Sequence, residues 1–313
     1  MTSAIVLLAI GLLVAVLIAY FVFPKHLATM LLHGLRGFAG FKARSIDIAG
    51  VTWPYLEGGP KFGDVVILLH GFGGDKDNWP LYARFLRRAY RVIIPDLPGF
   101  GENAKDPGAD YGMDAQAERL HSFVQAMRID RFHIAGNSMG GFLALKYALA
   151  HASNVITIAL LNNAGVRSLN KSEVELAAAR GENVLVVSTL DEFETLMKFV
   201  AFKPISLPAI IKREVGKQAI AQKDFLEPIF WTLFEDMEIR PLDDQLHQIS
   251  APTLIIWGRH DRVIDISCTT TMQDKIPVNH CVVFEDAGHV PMLECPAESA
   301  SAHLDYLNRH RAA

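Results

Sequence analysis

Three side chains that together could perform nucleophilic hydrolysis follow three separate apolar runs of the chain. Ser138 lies in GNSMGG, Asp261 in GRHDRV and His289 in DAGHVP. A serine hydroxyl attacks only when a base accepts its proton, and a histidine base needs a carboxylate that orients it and stabilises its charge. The chain order of serine, aspartate and histidine therefore predicts a catalytic triad at the carboxyl ends of neighbouring strands.

The segment around Ser138 has the form of a nucleophile elbow. An apolar run ends at Gly136, and a helix-forming run begins just after the serine. Two backbone N–H groups can hold the oxyanion: that of Met139, directly after the nucleophile, and that of Phe72, in HGFGG after the third strand. The alternative interpretation is a glycine-rich turn that carries a serine by chance. The presence of Asp261 and His289 after later strands makes this alternative weaker.

Other residues compete for the acid and base roles. They are Asp265 and Asp286 for the acid, and His70 and His260 for the base. Asp265 lies further from the strand end, Asp286 is close to the histidine in sequence, and His70 abuts a glycine turn where a structural hydrogen bond is expected. The position after the sixth strand, where a third acid could reach the histidine, holds the amides Asn162 and Asn163 instead.

Strand and helix patterns alternate over most of the chain. Continuous apolar runs such as 64–69 and 253–258 indicate strands buried on both faces of a parallel sheet. We expect an α/β core at 46–166 and 243–313, with a mostly parallel eight-stranded sheet and helices on both faces. Residues 167–242 break this rhythm and predict a helical cap.

The cap carries more large apolar residues than one buried face requires. Some of them are predicted to line an acyl pocket, namely Phe193, Met197, Phe199 and Trp231. The alternative is that all of them belong to an ordinary core.

The N-terminal stretch 4–23 contains twenty residues without a charge, enough to cross a bilayer as a helix. We predict a transmembrane anchor at 1–24, with a signal peptide or a buried helix as alternatives. Residues 25–45 form a basic amphipathic segment, which either lies against anionic lipid or packs on the soluble domain. Its positive charge predicts a single-pass protein with its catalytic part on the cytoplasmic side.

The composition excludes several classes of function. The net charge is −4, so the chain has no excess of basic residues that would bind nucleic acid. Half of the residues are apolar, which argues against a disordered chain. The three cysteines have no metal-type spacing, so neither a zinc site nor a disulfide framework is expected. The proposed chemistry needs no metal and no cofactor.

At this point the motifs resemble the α/β-hydrolase superfamily over nearly all of residues 46–310. The matching segments are HGFGG, DLPGFG, GNSMGG, GRHDRVID and AGHVPMLECP. Together with the predicted span and the cap pattern TLDEFETLMKFVAFKP, they resemble the membrane-anchored monoacylglycerol lipase branch (abhydrolase domain type 6). The resemblance implies a serine hydrolase of lipid esters, with Ser138, Asp261 and His289 as triad and Phe72 and Met139 at the oxyanion.

Two other functions stay open at this stage. GNSMGG is also common in meta-cleavage-product hydrolases, which split carbon–carbon bonds in dienoates. Those enzymes usually carry an SGPGA-like oxyanion loop and an aromatic residue after the histidine, whereas this chain has GFGGDKDNW, and Val290 follows His289. A non-catalytic, ligand-binding protein on the same fold is the other alternative.

Overall fold

A computed structural model describes residues 5–7 and 20–310 of the chain. Most of the stretch 4–23, and with it the predicted transmembrane anchor, lies outside these residues. Among the residues that are described, no helix combines the length and the apolar character needed to cross a membrane.

The core is one eight-stranded sheet, as the alternating pattern predicted. Its strands are β1 (Phe41–Ile48), β2 (Val51–Gly58), β3 (Val65–Leu69), β4 (Arg91–Pro95), β5 (Phe132–Asn137), β6 (Val155–Leu161), β7 (Thr253–Gly258) and β8 (Asn279–Phe284). Their spatial order is β1-β2-β4-β3-β5-β6-β7-β8, and only the β1–β2 and β2–β4 pairs are antiparallel. The parallel strands bring their carboxyl ends to one edge of the sheet, where the site must form.

Helices cover this sheet and form the insertion. They are α1 (Pro24–Phe38), α2 (Pro80–Leu86), α3 (Met113–Ala126), α4 (Met139–Ala150), α5 (Glu173–Ala178), α6 (Leu190–Val200), α7 (Ala209–Ala221), α8 (Lys223–Ile239), α9 (Cys268–Lys275), α10 (Pro291–Glu294) and α11 (Pro296–Arg309).

Strand periodicity divides the core into two layers. On β3, Ile67 and Leu69 pack into the layer that contains α3 and α4, whereas Val66 and Leu68 pack into the layer that contains α2 and α11. Because neighbouring side chains of a strand point to opposite faces, a run that is apolar at every position must be covered on both sides.

Four helices, α5 to α8, occupy the predicted cap interval between β6 and β7. The second of them begins after Thr189, whose side chain accepts the backbone N–H of Glu192. It ends at Val200, because Ala201 has extended backbone angles. From this point the chain runs beside the loop of His289, whose backbone N–H donates to the carbonyl oxygen of Val200.

The basic segment after the predicted anchor forms helix α1 and the start of β1. Ala28 packs against Ile210 and Ile211 of α7, while Met30 and Phe38 remain 63% and 72% exposed. The helix thus packs on the folded chain with one face and leaves apolar side chains uncovered on another. β1 begins at Phe41, five residues before the predicted start of the core.

Candidate active site

Ser138 joins β5 to α4 in a strained backbone conformation. Its φ of 54° and ψ of −120° lie where residues with a Cβ are uncommon. The turn is possible because Gly136 has no Cβ. A Cβ at that position would lie only 2.1 Å from the carbonyl oxygen of Gly140. Glycine is required at that contact, and the tight turn presents the serine above the sheet.

His289 and Asp261 are paired directly. The His289 Nδ1 atom lies 2.9 Å from Asp261 Oδ2, and both side chains are buried. Asn162 Nδ2 donates to the same Oδ2 at 2.7 Å, while the backbone N–H groups of Val263 and Ile264 donate to Oδ1 at 2.8 and 3.1 Å. These donors fix the carboxylate, and it can in turn fix the tautomer of the imidazole.

The elbow is tied to the loop of the histidine. Asn137, the residue before Ser138, donates from its Nδ2 to the carbonyl oxygens of His289 and Leu161, each at 3.0 Å. The three residues predicted to form the triad are therefore brought to one end of the sheet, from the ends of β5, β7 and β8.

Two backbone amides are free to bind an oxyanion next to the serine. Phe72 and Ser138 line the same pocket, and a Cβ at Gly71 would lie 3.1 Å from the Cβ of Ser138. Within residues 20–310, no hydrogen bond uses the backbone N–H of Phe72 or of Met139, which opens α4. Donors placed in this way can stabilise the charge of a tetrahedral intermediate.

The pocket above Ser138 has a volume of about 730 Å³, including its open mouth. Its apolar wall comes largely from the cap and the loops beneath it: Phe72, Val166, Val174, Leu185, Phe230, Leu233, Phe234, Met237, Val263 and Ile264. The rings of Phe72 and Phe230 meet edge to face at 5.9 Å, so the oxyanion loop and the cap share one aromatic contact. Polar groups, Ser168, Ser172 and Glu175 among them, also line this pocket.

The four predicted pocket residues are placed differently from one another. Phe193 packs beneath Gly216 of α7 and lines a separate hollow in the cap, so it does not belong to the pocket of Ser138. Met197 is half-buried on the same helix. Phe199 and Trp231 pack in the aromatic cluster around Phe230, behind the pocket wall.

Phe193 was predicted wrongly because α6 carries apolar residues on more than one face. Spacing along a helix shows which residues share a face, but it does not show which neighbour covers that face. The lining residues that the prediction missed, Phe230 and Phe234, are four positions apart on α8, so their spacing could have indicated a shared face.

The competing acids and bases have other partners. Asp286 pairs with Lys203 at the surface, and the ring of His260 stacks on that of Phe202 with centroids 3.9 Å apart. His70 Nε2 accepts the N–H of Leu97 at 3.0 Å, and burial lowers the pKa of this histidine. A neutral imidazole with both ring nitrogens engaged supports the structural role predicted for it.

Glu294 supports the histidine loop in a way that the sequence did not reveal. Its carboxylate accepts the N–H of Gly288 at 2.9 Å and that of Phe202 at 2.7 Å. The N–H of His289 donates to the carbonyl oxygen of Val200 at 2.8 Å. The end of α6 is thus joined to the candidate base through one carboxylate and one backbone hydrogen bond.

Cys268 is a second potential nucleophile in the pocket wall, but its thiol is held inert. Burial raises the pKa of this thiol, and its Sγ donates to the carbonyl oxygen of Val166 at 3.3 Å. In the part of the chain that is described, no group of three or more His, Cys, Asp or Glu side chains could hold a metal ion.

The sequence matches the α/β hydrolase family over residues 66–302. The chain belongs to the α/β hydrolase family. A crystal structure of a membrane phospholipase A, described as a novel bacterial virulence factor, shares 40% identity, covers 100% of both chains and has a TM-score of 0.90.

Two curated relatives define the branch more closely. Lipase 1 of Psychrobacter immobilis is 34% identical over 85% of this chain and 84% of its own length. Monoacylglycerol lipase ABHD6 of Homo sapiens is 26% identical over 94% of this chain and 90% of its own. This α/β hydrolase therefore lies in the ABHD6-like branch, as its motifs indicated.

Proposed function

We propose that this α/β hydrolase is a membrane-anchored serine hydrolase that cleaves carboxylic esters of lipids, with monoacylglycerols as its main substrates. The observation that carries the proposal is the position of Ser138 at an apolar pocket, in an elbow that Asn137 ties to the backbone of His289, the partner of Asp261. The names of Lipase 1 and ABHD6 support the same substrate class.

The proposed reaction uses an acyl-enzyme. His289 takes the proton of Ser138, which attacks the ester carbonyl carbon, and the amides of Phe72 and Met139 hold the oxyanion. His289 then protonates the departing glycerol oxygen. Water attacks the acyl-enzyme with the same base and releases the fatty acid, while the acyl chain occupies the apolar part of the pocket.

Phospholipid acyl esters are a second candidate substrate, because the 40% identical structure is that of a membrane phospholipase A. Cleavage of a phospholipid acyl ester would use the same nucleophile and the same oxyanion donors. The two candidates differ only in the leaving group, which must be accommodated near the pocket mouth.

A substrate panel on the detergent-solubilised full-length chain tests the proposal. It comprises monoacylglycerols of graded acyl length, a diacyl and a lyso phospholipid, p-nitrophenyl esters and a dienoate ring-fission product. We expect turnover of the esters, fastest with monoacylglycerols, and none of the dienoate. Dienoate cleavage that exceeds ester cleavage would replace this proposal with carbon–carbon hydrolysis, and turnover of none of the panel would favour a binding protein.

We further propose that residues 1–24 anchor the protein and that the catalytic part lies on the cytoplasmic side. Lys25 and Lys42, near the end of the predicted span, support that orientation under the positive-inside tendency. The exposed Met30, Leu31 and Phe38 of α1 would then lie close to the lipid surface.

Deleting residues 1–22 is expected to move the protein from the membrane pellet to the supernatant. Turnover of p-nitrophenyl butyrate should stay within about twofold of that of the full chain, because α1 and its contacts are retained. Cell fractionation and steady-state kinetics measure the two effects. A truncated protein that stays in the membrane fraction would locate the anchor elsewhere.

A further inference from the structure

Arg36 joins helix α1 to the segment that follows the oxyanion loop. Its Nε and Nη2 atoms donate to the two carboxylate oxygens of Asp77 at 2.7 and 2.5 Å. The side chains are only 7% and 14% exposed, so solvent screens this pair little. A two-point guanidinium–carboxylate contact fixes orientation as well as distance, so α1 and Asp77 must move together.

The segment that carries Asp77 is itself rigidly bonded. The Asp75 carboxylate accepts the N–H of Asp77 at 2.8 Å, and the side-chain oxygen of Asn78 accepts the N–H of Asp75 at 3.1 Å. It follows directly after the turn Gly71–Gly74, which a 3.1 Å backbone hydrogen bond closes. A displacement of Asp77 is therefore transmitted along a short, constrained backbone to the amide of Phe72.

A second ion pair ties the neighbouring loop into the same cluster. Lys76 Nζ donates to Asp96 Oδ2 at 2.6 Å, and both side chains are almost completely buried. The backbone N–H of Glu102 donates to the same oxygen at 2.8 Å, and its carboxylate lies 3.2 Å from Lys76 and 3.5 Å from Arg36. Phe100, in the same loop, packs its ring against that of Phe72.

We propose that Arg36 is a positioning residue of the hydrolytic site, which ties α1 to the loop whose amide holds the oxyanion. Loss of either partner removes the two-point contact that holds Asp77 to α1, and the segment after the oxyanion loop can then shift and displace the amide of Phe72. The proposal rests on the oxyanion role of Phe72 within the proposed function. It makes α1 a part of the catalytic unit, unlike the proposed anchor at residues 1–24.

The test compares full-length variants in detergent with p-nitrophenyl butyrate as substrate. Arg36→Gln and Asp77→Asn are each expected to lower kcat by about ten- to hundredfold with KM within about twofold, because the misplaced donor acts mainly in the transition state. The double variant should fall no further than either single variant, since the two changes remove the same interaction. The affinity for a trifluoromethyl ketone, whose adduct carries the oxyanion, should fall in parallel with kcat/KM.

Arg44→Gln is the matched control, since it removes an equal charge from a half-exposed pair with Glu57 on the adjoining strand. It should leave kcat unchanged. If Arg36→Gln fails to fold, Arg36→Lys and Asp77→Asn carry the test, with thermal unfolding measured beside the kinetics. Lower melting temperatures with unchanged kcat and unchanged ketone affinity would overturn the inference and leave Arg36 a purely structural residue. A wild type that cleaves no ester would instead refute the proposed function itself.

Discussion

Replacing Ser138 with alanine is expected to lower kcat for every ester by at least about 10⁴-fold and to abolish labelling by a fluorophosphonate probe. The effect is large because the acyl-enzyme cannot form without the Ser138 oxygen, which no other group at this position can supply. Binding should survive, since Ser138 forms one small part of a pocket that is lined mainly by apolar side chains. The variant should therefore still bind a fatty acid with about the affinity of the wild type.

Ser168→Ala provides the matched control for this experiment. Ser168 also lines the pocket, but its hydroxyl donates to Glu175 at 3.3 Å and it does not lie in the elbow. This variant should label with the probe and turn over esters at nearly the wild-type rate. Labelling that persists in Ser138→Ala would show that another nucleophile performs the reaction, and the elbow would lose its assigned role.

Replacing Asp261 with asparagine is expected to lower kcat by about 10⁴-fold while KM changes little. The carboxylate accepts from His289 Nδ1, so an amide would favour the imidazole tautomer whose Nε2 carries the proton and cannot act as a base. The backbone N–H groups of Val263 and Ile264 donate to Oδ1, so they favour the amide oxygen at that position and turn the new NH2 group toward His289. Steady-state kinetics on a soluble ester, with the folded fraction checked by circular dichroism, measures the loss.

Asp265→Asn is the control, since Asp265 is the competing acid nearest in sequence. Its carboxylate accepts the backbone N–H of Ser267 at 2.9 Å, so the variant should change kcat less than about threefold. A larger loss in Asp265→Asn than in Asp261→Asn would transfer the acid role to the later residue. Comparing kcat of the Asp261→Asn and Asp265→Asn variants therefore tests directly which carboxylate orients the histidine.

Local sequence features were sufficient to predict the core of this molecule. Strands such as β3 and β7 are buried on both faces, so a continuous apolar run identified them without knowledge of their neighbours. The backbone form of the elbow was also predictable, because the glycine at position 136 is required by its contact with Gly140 within the same turn. The order of the strands then implied that Asp261 and His289 follow strands at the same edge of the sheet.

The cap and the supports of the site were decided only by tertiary contacts. Phe193 and Phe230 are both aromatic residues on cap helices, yet one packs under α7 and the other lines the pocket, because helix packing determines which face meets which neighbour. Arg36 belongs to the basic segment 25–45, and only the fold brings it to its carboxylate partner Asp77, which lies 41 positions away in the sequence.

This sequence by itself determined the sheet, the elbow and the candidate catalytic side chains, because each depends on residues that are neighbours along the chain or on a strand period of two. The tertiary structure alone decided the pocket wall, the Asn162 and Glu294 supports, and the link from α1 to the oxyanion loop. Those contacts join side chains from distant segments, for example Asn162 and Asp261, which are 99 positions apart. Their pairing depends on how whole helices and strands pack against one another. The spacing of residues within one helix or strand therefore cannot predict these pairs.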